Sequence, residues 1–285
     1  MLSLRGRSAI LLFALAAIPL TSCGGDGSAD GGSATPGFVH VHAVGADPAD
    51  GAVYVASHRG LFRLGEENDA RLVGPDQDTM GFTVTGSGTF LASGHPSEEA
   101  QAIGAEPHLG LIRSTDAGAT WTTVSEAGKA DFHALQQAGE SLYAYDSQTG
   151  RVRRSTDGGR TWRIGARLPV FDLAAGEKEP DRVYATTEQG VMLSENGGAS
   201  FSPLAGAPIL LSLDVTSKGG LIGITPDGRV HAGPDWKALG QVSGGAVAAF
   251  TAVTDDHLLV VTENGTVQES KDGGATFTVL HRPTS

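Results

Sequence analysis

Four stretches of this chain repeat one eight-residue pattern, and no other feature limits its fold so sharply. STDAGATW (114–121), STDGGRTW (155–162), SENGGASF (194–201) and SKDGGATF (270–277) all read Ser-x-Asp/Asn-x-Gly-x-Thr/Ser-aromatic. Their third residues, Asp116, Asp157, Asn196 and Asp272, are spaced by 41, 39 and 76 residues. The last interval is close to two periods, and a worn copy, GPDW at 233–236, falls in the gap. Self-similarity at a period of about 40 residues marks a propeller or a solenoid array.

The rest of each repeat resolves into short strands. An apolar stretch precedes each copy: DFHAL (131–135), VFDLA (170–174), LLSLDV (210–215) and VAAFTAV (247–253). Between stretch and octet lie strand pairs such as SLYAYD and GRVRRS, RVYATT and GVMLSE, or HLLVVT and GTVQES, parted by Gly, Asn or Asp turns. Two further units stand upstream, one over 38–74 that lacks the octet and one opening over 80–114, with an insert between Gly94 and Pro107, that runs into the first octet. No segment of the folded part carries a helical period. Units starting near 38, 80, 131, 170, 210 and 247 predict an all-β fold, a six-bladed β-propeller of four-stranded antiparallel blades. A solenoid would need polar terminal caps, which neither end supplies.

In such a blade the octet is the turn between the third and fourth strands. Its Asp accepts backbone N–H bonds, its glycines adopt positive φ, and its aromatic packs back between blades. The motif resembles the Asp-box, or BNR repeat, of sialidases, of the sortilin luminal domain and of a plastid photosystem assembly factor. That resemblance implies a scaffolding role for the octet, on the face away from any ligand.

The chain opens with Arg5 and Arg7 ahead of the apolar run AILLFALAAIPL, too short to span a bilayer comfortably. Leu20-Thr21-Ser22-Cys23 then matches the bacterial lipobox. The expected organisation is a lipoprotein signal peptide over 1–22, then a lipidated Cys23 with a Gly/Ser/Asp tether to residue 37, then the propeller over 38–285. This places the domain in the bacterial cell envelope, anchored through lipid on the extracytoplasmic side of a membrane. Cys23 is the single cysteine, so the folded part has neither disulfide nor thiol chemistry. Once Arg5 and Arg7 are set aside, 18 Lys and Arg face 32 Asp and Glu, a net charge of −14. That argues against nucleic acid as a partner and for cations or neutral ligands. A monomer is expected.

Strand order sorts the polar residues by face. Starts of innermost strands carry His40, His42, Asp78, Asp131, His133 and Asp172, and the loops between second and third strands carry His58, the insert from His95 to His108, and Asp146. Six of the nine histidines thus fall on one face of blades 1 to 3. His40 and His42, two apart on a strand, should point the same way. The reading is a ligand-binding rim of His40, His42, His58, Asp78, His95, His108, Asp131, His133, Asp146 and Asp172. Its ligand would be a small molecule, a metal or a partner protein. His40, His42, His95, His108 and His133 are the candidate ligands of a divalent metal such as Zn or Cu, which suit imidazole with carboxylate.

The stretches HVHAVGADPADGAVYVASHRGLFRL (40–64), GFTVTGSGTFLASGHP (81–96), HLGLIRSTDAGATW (108–121) and DFHALQQAG (131–139) resemble a group of small bacterial lipoproteins classed as glycosyl hydrolases through their BNR repeats. That likeness implies a sialidase-like glycoside hydrolase as the alternative reading. A sialidase needs an arginine trio, a Tyr nucleophile and an acid, yet Leu61-Phe62-Arg63-Leu64 is not the usual Arg-Ile-Pro motif. Tyr54, Tyr143 and Tyr184 fall in mid-strand, which leaves Tyr145 beside Asp146 as the one loose candidate. Other glycosidases need two carboxylates at a set separation, for which Asp131, Asp146 and Asp172 are available.

Overall fold

The second strand of nearly every repeat is buried along its whole length, whereas the fourth is mostly exposed. VYVAS (53–57), VYATT (183–187) and LLVVT (258–262) have no exposed position, while RIGAR (163–167) and KALGQ (237–241) have no buried one. Strands apolar on both sides must lie between two packed sheets, and a graded sheet of this kind is one blade of a radial stack.

The computed structural model describes residues 38–66 and 68–283 and shows six four-stranded antiparallel sheets. Blade 1 comprises β1 (Val41–Ala46), β2 (Val53–Ser57), β3 (Gly60–Leu64) and β4 (Ala70–Val73). Blade 2 comprises β5 (Asp78–Gly86), β6 (Thr89–His95), β7 (Leu111–Ser114) and β8 (Thr122–Ser125), with a short helix α1 (Glu98–Ala102) in its insert. Blade 3 is β9 (Phe132–Ala138), β10 (Ser141–Asp146), β11 (Arg151–Ser155) and β12 (Arg163–Arg167). Blade 4 is β13 (Asp172–Ala175), β14 (Val183–Thr187), β15 (Gly190–Ser194) and β16 (Ser202–Pro203). Blade 5 is β17 (Ser212–Val215), β18 (Leu221–Ile224), β19 (Arg229–Ala232) and β20 (Lys237–Gln241). Blade 6 is β21 (Val247–Ala252), β22 (Leu258–Thr262), β23 (Val267–Ser270) and β24 (Thr278–His281).

The innermost strands touch in sequence around the ring, and β21 meets β1 to close it. Each blade is one contiguous piece of chain, so no shared strand fastens the closure. Side chains do it. Val41, Val44, Val53 and Val55 pack against Ala249, Leu259, Val261 and Val267. Asn68 Nδ2 donates to the Arg282 carbonyl at 2.7 Å, and its Oδ1 accepts from Arg282 N–H at 2.6 Å. The six inner strands line a central cavity of about 660 Å³.

The octet occupies the predicted turn in blades 2, 3, 4 and 6 with one geometry. In blade 3, Asp157 Oδ1 accepts from Thr161 N–H at 3.0 Å and Oδ2 from Thr161 Oγ1 at 2.7 Å, while Ser155 Oγ accepts from Gly159 N–H at 2.9 Å. Gly159 has φ +85°, and a Cβ there would lie 2.1 Å from Leu111 Cδ2 of the preceding blade. A Cβ at Gly118, Gly198 or Gly274 would likewise lie 2.6, 2.9 and 2.9 Å from Leu61, Val152 and Val230. The octet is therefore a joint between blades as well as a turn. The worn copy sits where the period puts it, between β19 and β20.

The expected signal peptide (1–22), Cys23 and tether lie outside the described residues. Among the described residues no helix is long and apolar enough to cross a membrane.

Candidate functional site

Three backbone irregularities shape the rim where inner strands begin. The β1–β2 register slips at His42, the β5–β6 register at Met80, and the β9–β10 register at His133. A bulge adds one residue to a strand and re-aims its side chain. These three occupy equivalent places in blades 1, 2 and 3. His40 lies just before β1 with φ +48°, a conformation that costs a non-glycine residue energy. His40 therefore lies outside the strand's alternation, yet both rings meet His58, at 5.1 and 4.7 Å between centroids.

The blade 2 insert is pinned at its base. Leu109 N–H donates to Gly94 O at 2.9 Å, which holds His95 and His108 together with ring centroids 5.3 Å apart. Gly94 has φ +146°, and a Cβ there would meet Asp78 O at 2.0 Å. Only glycine lets β6 pass so close to Asp78.

Two carboxylates organise the rim. Asp78 Oδ2 lies 3.2 Å from His58 Nδ1 and 3.1 Å from His95 Nδ1, while Oδ1 faces His42 Nε2 at 3.7 Å. Asp131, buried, has its Oδ2 2.8 Å from His133 Nε2 and 2.7 Å from Ser147 Oγ, with His95 Nε2 at 3.6 Å. Burial would raise the Asp131 pKa, but the bonds from His133 and Ser147 and the neighbouring histidine charge hold it down at about 2. Burial lowers His42 to about 4 against the pull of Asp78, and the other rim histidines add to the fall. At neutral pH, then, His42 is a neutral imidazole beside carboxylates.

Four buried atoms here have no hydrogen-bond partner: His42 Nε2, Asp78 Oδ1, His108 Nδ1 and Asp131 Oδ1. They fall into two groups, His42 with His58 and Asp78, and His95 with His108 and Asp131. In each group one potential ligand atom per residue lies within 4.8 Å of the others. An imidazole pair with a carboxylate and no partner for the bare atoms is a metal-binding chemistry.

The sequence-derived residues thus divide. His42, Asp78, His95, His108 and Asp131 stand in the two triads, joined by His58, which strand sorting placed on the rim but not among the metal ligands. His40 and His133 stand one layer back, against His58 and on the far oxygen of Asp131. The five histidines assigned to one ion are split between two places. Asp146 is turned inward: it is fully buried, ion-paired to Arg153 at 2.5 Å, and accepts from Thr149 Oγ1 and, at 3.4 Å, from Asp131 N–H. It braces the Asp131 segment and touches no ligand space. Tyr145 is partly buried against the cluster around Tyr143 and Val152.

Asp172 lies across the cavity, in blade 4. Its oxygens accept from Leu173 N–H at 2.8 Å and from Leu213 N–H of blade 5 at 3.0 Å. Asp214, which sequence reading passed over, does the same for blade 6 through Ala252 N–H at 2.8 Å and Thr251 Oγ1 at 3.2 Å. Burial raises Asp172 to about 7, with the Asp214 charge adding to it, and burial raises Asp214 to about 6.

No family profile matches the sequence, and no curated protein is similar to it. Solved structures share the fold. A gluconolactonase from Xanthomonas campestris is similar with a TM-score of 0.62 at 14% identity, over 79% of this chain and 84% of that one. A GH74 xyloglucanase, also from Xanthomonas campestris, is similar with a TM-score of 0.55 at 19% identity. That match covers 87% of this chain but only 46% of the enzyme, so this chain spans under half its length. YCF48 bound to D1 peptide is similar with a TM-score of 0.51 at 14% identity, over 86% and 82% of the two chains. At these identities the likeness shows a β-propeller fold shared by hydrolases and binding proteins.

Proposed function

We propose that this chain is a lipid-anchored, extracytoplasmic binding propeller whose rim over blades 1 to 3 takes a divalent metal of the Zn or Cu type. The observation that supports this reading most is the convergence of four partnerless buried atoms on two His/carboxylate groups. A buried polar atom left bare costs about 1–3 kcal/mol, and cation binding at these groups would offset that cost. The anionic domain attracts such a cation, and His42, neutral at pH 7, accepts it without first losing a proton. Zn²⁺ added to the purified full chain in detergent should raise its melting temperature and Mg²⁺ should not, since imidazole selects borderline metals over Mg²⁺. At 100 times Kd the gain is about 2.7 kcal/mol. No shift with Zn²⁺ or Cu²⁺ sinks the reading.

The anchor rests on the lipobox at Cys23. Cys23→Ser should move the protein from membranes to the soluble fraction; a variant that stays with the membranes contradicts the assignment.

A hydrolase is the second reading, and Asp172 with Asp214 favours it. Both line the cavity, and their raised pKa values suit a general acid near neutrality. Against its sialidase form, no Lys or Arg is among the described cavity-lining residues to clamp an anionic sugar. Turnover of neutral aryl glycosides, lost in Asp172→Asn, would establish it.

A further inference from the structure

Resting on the metal reading above, we infer that the rim is built for two ions, not one, and that Asp78 and His95 couple them. Each carboxylate has one oxygen engaged and one bare. Asp78 Oδ2 faces His58 and His95 while Oδ1 is free, and Asp131 Oδ2 is held by His133 and Ser147 while Oδ1 is free. Each bare oxygen belongs to a triad that also holds a bare imidazole nitrogen: His42 Nε2 with Asp78, His108 Nδ1 with Asp131. Each triad has its own carboxylate, its own bare nitrogen and its own second histidine, which is a ligand set for one ion apiece. Asp131 is almost fully buried, with side-chain exposure of 4%, so its free oxygen is not a solvated surface group. Two histidines and one carboxylate leave an ion at least one open position, the arrangement of sites that bind an exchangeable ligand.

The link is His95. Its Nδ1 lies 3.1 Å from Asp78 Oδ2, in the first triad, and its Nε2 points toward Asp131, in the second. With the proton on Nδ1, donated to Asp78, Nε2 presents its lone pair to the second ion. A carboxylate behind a ligating imidazole fixes its tautomer and orientation, and its loss costs 10–100-fold in metal affinity. Asp78 thus ligates the first ion and positions a ligand of the second.

Zinc stoichiometry on the full chain tests this, by equilibrium dialysis with elemental analysis and by calorimetry, with melting curves of the metal-free protein confirming that each variant folds. Wild type should bind two Zn²⁺ per chain. His58→Ala and His108→Ala should each bind one, and the pair together none. Asp78→Ala should keep the second ion with affinity at least 10-fold weaker than in His58→Ala, which loses the first ion but leaves His95 oriented. One Zn²⁺ in wild type, removed by either His58→Ala or His108→Ala, overturns the two-ion inference and leaves the metal reading standing. No Zn²⁺ in wild type overturns both. Two ions with equal second-site affinity in Asp78→Ala and His58→Ala removes the coupling.

Discussion

At the scale of single residues, the octet and the rim obey opposite rules. In the octet the Ser, Asp and Thr side chains answer one another and the turn's own backbone, as with Asp157 and Thr161, whereas in the rim bare atoms accumulate. The first is scaffolding and should respond to substitution through stability alone. Gly159→Ala must place a methyl against Leu111 at positive φ, so it should cost about 1–3 kcal/mol by overpacking. Trp162→Ala removes a ring packed on Phe132 at 4.8 Å and bonded to Ser125 Oγ, and should cost about 3 kcal/mol. Chemical denaturation measures both. Zn²⁺ affinity of the folded fraction should be unchanged in either, and a variant of normal stability that loses metal would refute the assignment.

At the scale of elements, the fold was legible because its signal is periodic and local. Glycines, turn residues and apolar runs recur at a fixed spacing, and six inner strands begin within a few residues of the predicted starts. The rim was half legible. Strand order placed its histidines on one face, but which imidazole meets which carboxylate depends on bulges at His42 and His133, and a slip of register leaves no mark in one sequence. Asp146 misled, since a strand-end carboxylate reads the same whether it faces solvent or a buried arginine. That pair supplies a prediction for the β10–β11 hairpin. Arg153→Met leaves Asp146 buried beside Thr149 without its counter-charge, which should cost about 3–5 kcal/mol. Replacing both residues with apolar ones should cost less than the single change, and a thermal melt distinguishes the outcomes.

At the scale of the whole molecule, the ring is held by side chains that reach from one inner strand to the next. Gln136 of blade 3 donates to Ala175 O of blade 4 at 3.1 Å, Asp172 of blade 4 accepts from blade 5, and Asp214 of blade 5 accepts from blade 6. The blade 4-to-5 and 5-to-6 joints therefore carry carboxylates that line the central cavity, and burial raises both above the ordinary value of 3.8, to about 7 and about 6. A raised carboxyl pKa means that the folded state holds protons the unfolded chain has released. The stability these groups contribute is then fully present below about pH 3.8 and is lost as pH rises through about 6 and about 7. Asp131 works in the other sense, but its window lies lower, between 3.8 and about 2, and His42 adds a rise in stability from about pH 4 to 6.5. The opposing slopes of His42 and the two channel carboxylates overlap between pH 4 and 6.5 and separate above it. Between pH 6.5 and 8 the metal-free protein should lose stability through Asp172, the group with the highest raised value, and Asp172→Asn should flatten that segment of the melting-temperature profile whatever its baseline. A variant whose profile parallels wild type across pH 6.5–8 would show that Asp172 is ionised in the folded ring and clamps blade 5 as a carboxylate.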